Sequence, residues 1–185
     1  MITTKNLLIK PYSPEHSECF FKSITDNREY LYDYFTNMLK VNDSLEAAKK
    51  YMEQKTIDWQ ENKGFACAIF LKENNEFIGH ISVREIDWKV PKGELAYFIF
   101  EKYSGNNYGA EALTAFKNWC FAKKKFNRLF MKIAVDNTAS IKVAERSGFV
   151  YEGLLKKDYR KREEDLTDMK IYGYTEDLKF VRTTS

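Results

Sequence analysis

The chain has 185 residues, close to the usual size of one domain, and 44% of them are apolar, which is enough for a single hydrophobic core. The net charge of +3 is too small to indicate a nucleic-acid-binding protein, and no apolar run approaches the ~20 residues that a membrane-spanning helix needs. The three cysteines are far apart, which favours reduced thiols over a disulfide framework or a zinc site. We therefore expect one cytoplasmic domain over residues 1–185, with no signal peptide, no metal site and no membrane or nucleic-acid partner.

The first third of the chain predicts a short strand followed by helices. A capping hydroxyl, a proline and an acid at Ser13-Pro14-Glu15 are typical of a helix start. Asp43 and Glu46 have the spacing of a capping box. The predicted elements are a strand at 6–11, a helix that begins near Ser13, a short aromatic helix at 30–38, and a helix that begins near Asp43 and stops near Gly64.

The rest of the chain alternates between strand and helix patterns. The predicted elements are a hairpin of strands at 65–71 and 77–86, a strand at 94–100, a helix at 108–125, a strand at 129–135, a helix at 136–147 and strands at 149–155 and 169–174. A charged, exposed connection at 156–165 joins the last two strands. The strand–helix–strand unit at 94–135 predicts a parallel pair with a right-handed crossover. This order predicts an α+β fold with one mixed sheet of about seven strands.

A glycine-bearing turn at 104–107 leads into the helix at 108–125. A turn that opens a helix leaves several backbone N–H groups free, and with the helix dipole these form a site for phosphate. Gly105 and Gly109 would keep side chains away from an approaching ligand. By spacing alone the turn is neither a Walker motif nor a dinucleotide fingerprint, so an ordinary strand-to-helix loop stays an alternative.

A second motif follows the next strand, where residues 136–149 read DNTASIKVAERSGF and residues 151–153 read YEG. Together with ELAY at 94–97 and YGAEA at 108–112, this motif resembles the GNAT acetyltransferases. The resemblance is closest to the branch that acetylates the N-termini of ribosomal proteins, and it covers nearly the whole chain in element order. It is specific for the family and not for the substrate.

The resemblance implies a three-layer fold whose mixed sheet is splayed between the strands that end at 100 and 135, with helices on both faces. Acetyl-CoA, as cosubstrate, would place its pantetheine arm in this gap, and no metal is implied. The cofactor-binding residues that the resemblance implies are the backbone of Phe98, Ile99 and Phe100, the loop residues Gly105, Asn106, Asn107, Tyr108, Gly109 and Ala110, and the side chain of Asn137.

Three positions depart from the family pattern. Ser104 stands where the family usually has Gln or Arg, and Asn107 stands where it usually has Gly. Asparagine tolerates left-handed backbone geometry, so phosphate binding can survive this change. Ala144 stands where many members carry a tyrosine acid, which leaves Ser140 as the candidate proton donor, as in the ribosomal branch.

Acetyl transfer needs a neutral amine, so a base must remove a proton from the acceptor, and the leaving thiolate needs a proton. Glu94 is the candidate base, because it lies at the start of the strand expected to hold the thioester; a solvated strand-end carboxylate is the alternative. Ser140 is the candidate donor to sulfur, with a helix N-cap as the alternative. Strand alternation would place Glu94 and Tyr97 on opposite faces. His80, inside a strand, is expected to be structural.

Three functions remain open. The first is an N-acetyltransferase acting on a protein N-terminal amine or on a small amine such as a polyamine or aminoglycoside, with a homodimer possible in principle. The second is an acyl-CoA sensor without catalysis, which the altered loop residues motivate. The third is a nucleic-acid module using the basic segment 117–132, which is more simply a solvated helix face. Tyr32, Tyr34 and Trp59 could line the acceptor side, although core packing is the expected role of these aromatic side chains.

Overall fold

The protein contains one mixed sheet of eight strands, in a computed structural model that describes residues 1–161 and 166–176. The strands are β1 Ile2–Thr3, β2 Leu7–Pro11, β3 Phe65–Leu71, β4 Phe77–Asp87, β5 Lys92–Ile99, β6 Arg128–Ala134, β7 Val150–Arg160 and β8 Leu166–Tyr174. Their order in the sheet is β1-β2-β3-β4-β5-β6-β8-β7. The predicted mixed sheet is confirmed, but it has eight strands instead of about seven, because Ile2–Thr3 pairs antiparallel with β2.

Six α-helices accompany the sheet in the described residues. They are α1 Ser17–Asp26, α2 Arg28–Tyr32, α3 Thr36–Lys40, α4 Leu45–Gln60, α5 Tyr108–Lys124 and α6 Thr138–Arg146. The predicted single aromatic helix is in fact two helices, because the backbone leaves helical geometry at Phe35, whose ring packs edge-on against Phe98 at 5.0 Å. The cap of α4 is Ser44 and not Asp43, since the Ser44 hydroxyl accepts a hydrogen bond from the Ala47 N–H at 3.2 Å.

The sheet is buried on both faces, which gives the three layers of the fold. One hydrophobic cluster lies between the sheet and α5 and α6, and it contains Leu95 and Tyr97 from β5. A second cluster lies against α1 to α4 and contains Phe98 and Phe100. This alternation follows from the two-residue period of a strand, and it assigns each β5 side chain to one of the two faces. All three cysteines are free thiols, as expected.

The sheet opens between β5 and β6. These parallel strands pair at three positions, from Lys92 with Arg128 to Glu94 with Phe130. Beyond Glu94, β5 stays paired with β4 up to Ile99, while β6 stays paired with β8 up to Ala134. The two strands therefore diverge after Glu94, and the splayed sheet that the family resemblance implies is confirmed.

Residues 156–160 of the predicted exposed connection belong to a strand. β7 continues to Arg160 because Lys156 pairs with Asp168 across the hairpin at 2.8 Å and the Lys157 N–H donates to the same carboxylate at 2.9 Å. Residues 162–165 of that connection lie outside the described residues. Over residues 1–161 and 166–176, none of the helices has the length and apolar character needed to cross a membrane.

Candidate active site

A cleft of about 440 Å³ lies at the opening between β5 and β6. Its walls include Glu94, which is on the face of β5 covered by α1 to α4, and Tyr97, which is on the face covered by α5 and α6. Because both faces of one strand line the same cleft, the cleft continues through the gap in the sheet. Residues at its rim come from the α2–α3 connection, the end of β6 and the start of α6.

The backbone of β5 presents amides to this gap in an alternating pattern. The Phe100 N–H donates to the Ile78 carbonyl on β4 at 2.9 Å. Strand alternation then turns the N–H of Phe98 toward β4 as well, and turns the N–H groups of Tyr97 and Ile99 toward the diverging β6. The Ile99 N–H therefore faces the gap, whereas the N–H groups of Phe98 and Phe100 are used within the sheet. The Tyr97 N–H also faces the gap, although the sequence analysis did not include Tyr97 among the cofactor-binding residues.

The loop before α5 has the open geometry expected of a phosphate site. Gly105 has φ +83°, and a Cβ added there would meet no heavy atom within 4 Å. Asn107 has φ 63° and precedes α5 without a side-chain cap, so it does not satisfy the N–H groups of the first helical turn. The nearby acid Glu111 is engaged elsewhere, since it accepts hydrogen bonds from Thr4 and from the Asn6 backbone at 2.5 and 2.7 Å.

Other loop residues stabilise the loop itself. The Asn106 amide donates to the carbonyls of Tyr103 and Ser104 at 3.2 and 3.3 Å. The Ser104 hydroxyl is 3.0 Å from the Tyr30 hydroxyl, which connects the loop to α2. Ala110 is buried at the start of α5. Of the predicted loop residues, Gly105 therefore has open space around it, while the Asn106 side chain turns back onto the loop.

Gly109 leaves space for a neighbouring side chain of the protein, the ring of Tyr97. A Cβ at this position would lie 3.1 Å from the Tyr97 ring, so the glycine gives the ring its space. The sequence prediction assigned this space to the ligand. Burial raises the pKa of Tyr97 to about 12, and the nearby Ser140 hydroxyl limits the rise. Tyr97 therefore stays protonated at neutral pH, and its hydroxyl and that of Ser140 form one polar contact on the α5–α6 side of the gap.

The start of α6 is capped by Asn137 and not by Ser140. The Asn137 Oδ1 accepts a hydrogen bond from the Ser140 N–H at 3.0 Å, which is the geometry of an N-cap. The alternative role considered for Ser140 is therefore wrong, and its hydroxyl is left for the contact with Tyr97. Both residues line the cleft, and the cap holds the Ser140 backbone beside it.

Glu94 is a buried carboxylate. Its side chain is 4% exposed and its Oε1 is 2.7 Å from the guanidinium of Arg84, the residue opposite it on β4. The alternative reading as a solvated strand-end acid is therefore wrong. The register between β4 and β5 is continuous from Glu94 to Ile99, so no bulge brings Glu94 and Tyr97 to one face. They lie on opposite sides of the gap, as alternation predicts.

His80 is buried on the same face of the sheet as Glu94. Its Nδ1 is 2.6 Å from the Tyr12 hydroxyl and its Nε2 is 3.0 Å from the Ser82 hydroxyl. Burial lowers the pKa of His80 to about 3, so the ring is neutral at physiological pH. His80 and Ser82 both line the cleft, which places this hydrogen-bonded row next to the candidate base.

Comparison with known proteins gives the family. Residues 6–150 match the family described as acetyltransferase (GNAT) domain. The chain belongs to the GNAT acetyltransferases. The ribosomal-protein-serine acetyltransferase of Escherichia coli (strain K12) is 26% identical over 153 residues, which cover 83% of this chain and 84% of that protein. The N-acetyltransferase p20 of Bacillus licheniformis is 27% identical over 139 residues, covering 75% of this chain and 74% of that one.

The fold of this GNAT protein matches solved structures along nearly its full length. A structure of RimL, described as a ribosomal L7/L12 alpha-N-protein acetyltransferase in complex with coenzyme A, superposes with a TM-score of 0.88. It shares 22% sequence identity, and the match covers 95% of this chain and 97% of that one. The chain is therefore an acetyl-CoA-dependent N-acetyltransferase of the GNAT family.

The departures from the GNAT pattern have local explanations. Asn107 adopts the left-handed geometry that the family usually gives to glycine. Ala144, at the position of the common tyrosine acid, is fully buried in the cluster beneath α6. Among the described residues, no group of three or more His, Cys, Asp or Glu side chains is arranged to hold a metal ion.

The predicted acceptor-side aromatics separate into two groups. Tyr34 lines the cleft, and Tyr32 packs against the cluster under α1 to α4. Trp59 is in the core on the other side, with its ring centroid 5.1 Å from Phe65 and 5.5 Å from Trp119. The first is therefore a rim residue of the GNAT cleft, whereas the other two are packing residues.

The basic segment 117–132 is not a uniform solvated face. Lys117 is buried, and its ammonium donates to the Ser147 carbonyl at 2.6 Å at the end of α6. Arg128 pairs with Glu152, and Lys132 pairs with Asp158. Two of the six basic residues in this segment are therefore paired with acids and a third is buried, which reduces the field the segment presents to an anionic polymer.

Proposed function

We propose that this acetyltransferase moves the acetyl group directly from acetyl-CoA to the α-amine of a protein N-terminus, with both substrates bound in the cleft at once. The observation that carries the proposal is the passage through the sheet between β5 and β6, which gives one substrate access from each face. The named activities of RimL and of the Escherichia coli relative support a protein N-terminus as acceptor.

The gap and the loop before α5 supply groups suited to acetyl-CoA. The N–H groups of Tyr97 and Ile99 can bind the amide carbonyls of the pantetheine arm, as a neighbouring strand would. The open positions at Gly105 and Asn107, with the first N–H groups of α5, suit the diphosphate. The Asn137 amide nitrogen is available because its oxygen serves as the cap.

Glu94 is the proposed base on the acceptor side. An α-amine has a pKa near ~8, against ~10.4 for lysine, so removal of a proton from the α-ammonium group by a carboxylate costs less free energy. Glu94 can accept that proton directly or through a water molecule in the cleft. The Arg84 guanidinium holds the carboxylate in place by the 2.7 Å contact. The buried position excludes most solvent and favours a defined acceptor geometry.

Ser140 and Tyr97 are the proposed proton donors on the other side of the gap. Each carries a hydroxyl, and each side chain lines the cleft. Tyr97 stays protonated at neutral pH, so either hydroxyl can supply a proton to the leaving sulfur. With Glu94 on the opposite face, proton removal from the amine and proton delivery to the leaving sulfur would occur on separate sides of the same gap.

Release of free thiol from acetyl-CoA tests the proposal. The acceptors are a lysine-free peptide with a free N-terminus, an N-acetylated version of that peptide in which one internal residue is replaced by lysine, a polyamine and an aminoglycoside. We expect the highest kcat/KM for the free N-terminus. A higher value for the polyamine or aminoglycoside would assign a small-amine acceptor. Calorimetric binding of acetyl-CoA without thiol release on any acceptor would instead indicate an acyl-CoA sensor.

A further inference from the structure

The buried row Tyr12–His80–Ser82 has a defined direction of hydrogen bonding. Tyr12 is 5% exposed, and its hydroxyl has the His80 Nδ1 as its hydrogen-bonding partner at 2.6 Å, with no second partner in residues 1–161 and 166–176. A buried hydroxyl hydrogen without an acceptor is costly, so Tyr12 donates to Nδ1. The imidazole therefore carries its hydrogen on Nε2.

This tautomer determines the role of Ser82. The His80 Nε2–H donates to the Ser82 oxygen, since their separation is 3.0 Å and Nε2 has no free electron pair in this tautomer. The hydrogen of the Ser82 hydroxyl is thus not used by His80. In the described part of the chain it has no other partner, although Ser82 is 8% exposed and lines the cleft. A hydroxyl with this arrangement can donate a hydrogen bond to an acceptor atom of a ligand in the cleft.

The location of Ser82 points to the amine substrate. It pairs with Ala96 on β5, two residues beyond Glu94 and next to the point where β6 diverges. Neighbouring strands are about 4.8 Å apart, so Ser82 is one strand away from the gap, on the face of the proposed base. The methyl group of Ala96 is small enough to leave the hydroxyl accessible from the gap.

We propose that Ser82 determines acceptor specificity by donating a hydrogen bond to the carbonyl oxygen next to the reacting amine, with His80 and Tyr12 as positioning residues. The inference rests on the proposed function and deepens it, because every peptide N-terminus carries such a carbonyl and simple alkylamines do not. The Ser82 hydroxyl would distinguish the α-amines of peptides from polyamines by a neutral hydrogen bond and not by charge.

A matched pair of acceptors tests this role. Alaninamide and isopropylamine share the branched amine, and alaninamide adds the neighbouring carbonyl. We expect Ser82→Ala to lower kcat/KM for alaninamide by about 3- to 10-fold, mainly through KM, and to leave the value for isopropylamine unchanged. The comparison of variant with wild type for each acceptor cancels the different basicity of the two amines. Ser82→Thr, which keeps the hydroxyl, is expected to retain most of the alaninamide activity.

Two further measurements separate the outcomes. Tyr12→Phe removes the group that sets the tautomer, so the ¹⁵N shifts of His80 are expected to show loss of the pure Nε2–H form, with a partial loss of discrimination. Equal effects of Ser82→Ala on both acceptors, or none on either, would overturn the specificity role while the proposed function stands. Wild-type protein that binds acetyl-CoA but acetylates no amine would overturn both.

Discussion

Replacing Asn137 with alanine removes two functions of one side chain. The Oδ1 caps α6 through the Ser140 N–H at 3.0 Å, and loss of such a cap costs about 1 kcal/mol of folding stability. For a domain of this size, about 1 kcal/mol lowers Tm by about 2–4 °C. The Nδ2 group is the proposed donor to acetyl-CoA, and its loss is expected to raise the acetyl-CoA Kd by about 10-fold, in line with one hydrogen bond of about 1.4 kcal/mol.

Asn137→Ser separates the two effects. Serine caps helices about as well as asparagine, but it has no amide N–H at the same reach. We expect Asn137→Ser to unfold at the wild-type temperature and to bind acetyl-CoA as weakly as Asn137→Ala. Thermal unfolding followed by circular dichroism and calorimetric titration measure the two quantities. An alanine variant that melts at the wild-type Tm would refute the capping argument, and unchanged affinity in both variants would remove Asn137 from the cofactor site.

Three other predictions concern catalysis and pH. Glu94→Gln is expected to lower kcat by about 100-fold near pH 6.5 and by less as pH approaches the amine pKa near 8, with acetyl-CoA affinity unchanged; a uniform loss across pH would contradict the base role. Gly109→Ala is expected to displace Tyr97 and lower kcat about 10- to 100-fold at unchanged Tm, and full activity would show that the ring tolerates the methyl group. His80 has a pKa of about 3 in the folded protein, below the ordinary imidazole value of 6.5. The unfolded chain therefore binds the extra proton in this interval, and stability falls as pH falls. The slope is up to about 1.4 kcal/mol per pH unit, and urea unfolding between pH 7 and 4 should show a flatter curve for His80→Gln.

Local patterns predicted the elements well, because strand and helix periods are properties of neighbouring residues. The boundaries of β3 and the start of α5 at Tyr108 agree with the prediction. The strand β1 was missed because two residues carry no period, and they are ordered by pairing with Leu8 and Ile9 across a turn. The family motifs supplied the opening between β5 and β6, which no local pattern contains.

Side-chain roles depended on contacts between distant segments, and here prediction was weaker. The burial of Glu94 depends on Arg84, ten residues earlier, and on a register that hydrophobic pattern alone does not fix. The contact between Tyr97 and Ser140 joins β5 to α6. Asn137 and Ser140 both have capping chemistry, and only the backbone geometry decides which one caps.

The short pairing between β5 and β6 divides the sheet into two parts, β1 to β5 and β6 to β8. The two parts pair with each other at three residue positions. A ligand bound in the opening would connect these two parts of the sheet, because its hydrogen bonds would replace the missing contacts between the strands. At 100 times its Kd such a ligand adds about 2.7 kcal/mol to the folded state. Bound cosubstrate would then stabilise the contact between the two parts of the sheet during turnover. Each release of coenzyme A would remove that stabilisation until the next acetyl-CoA binds.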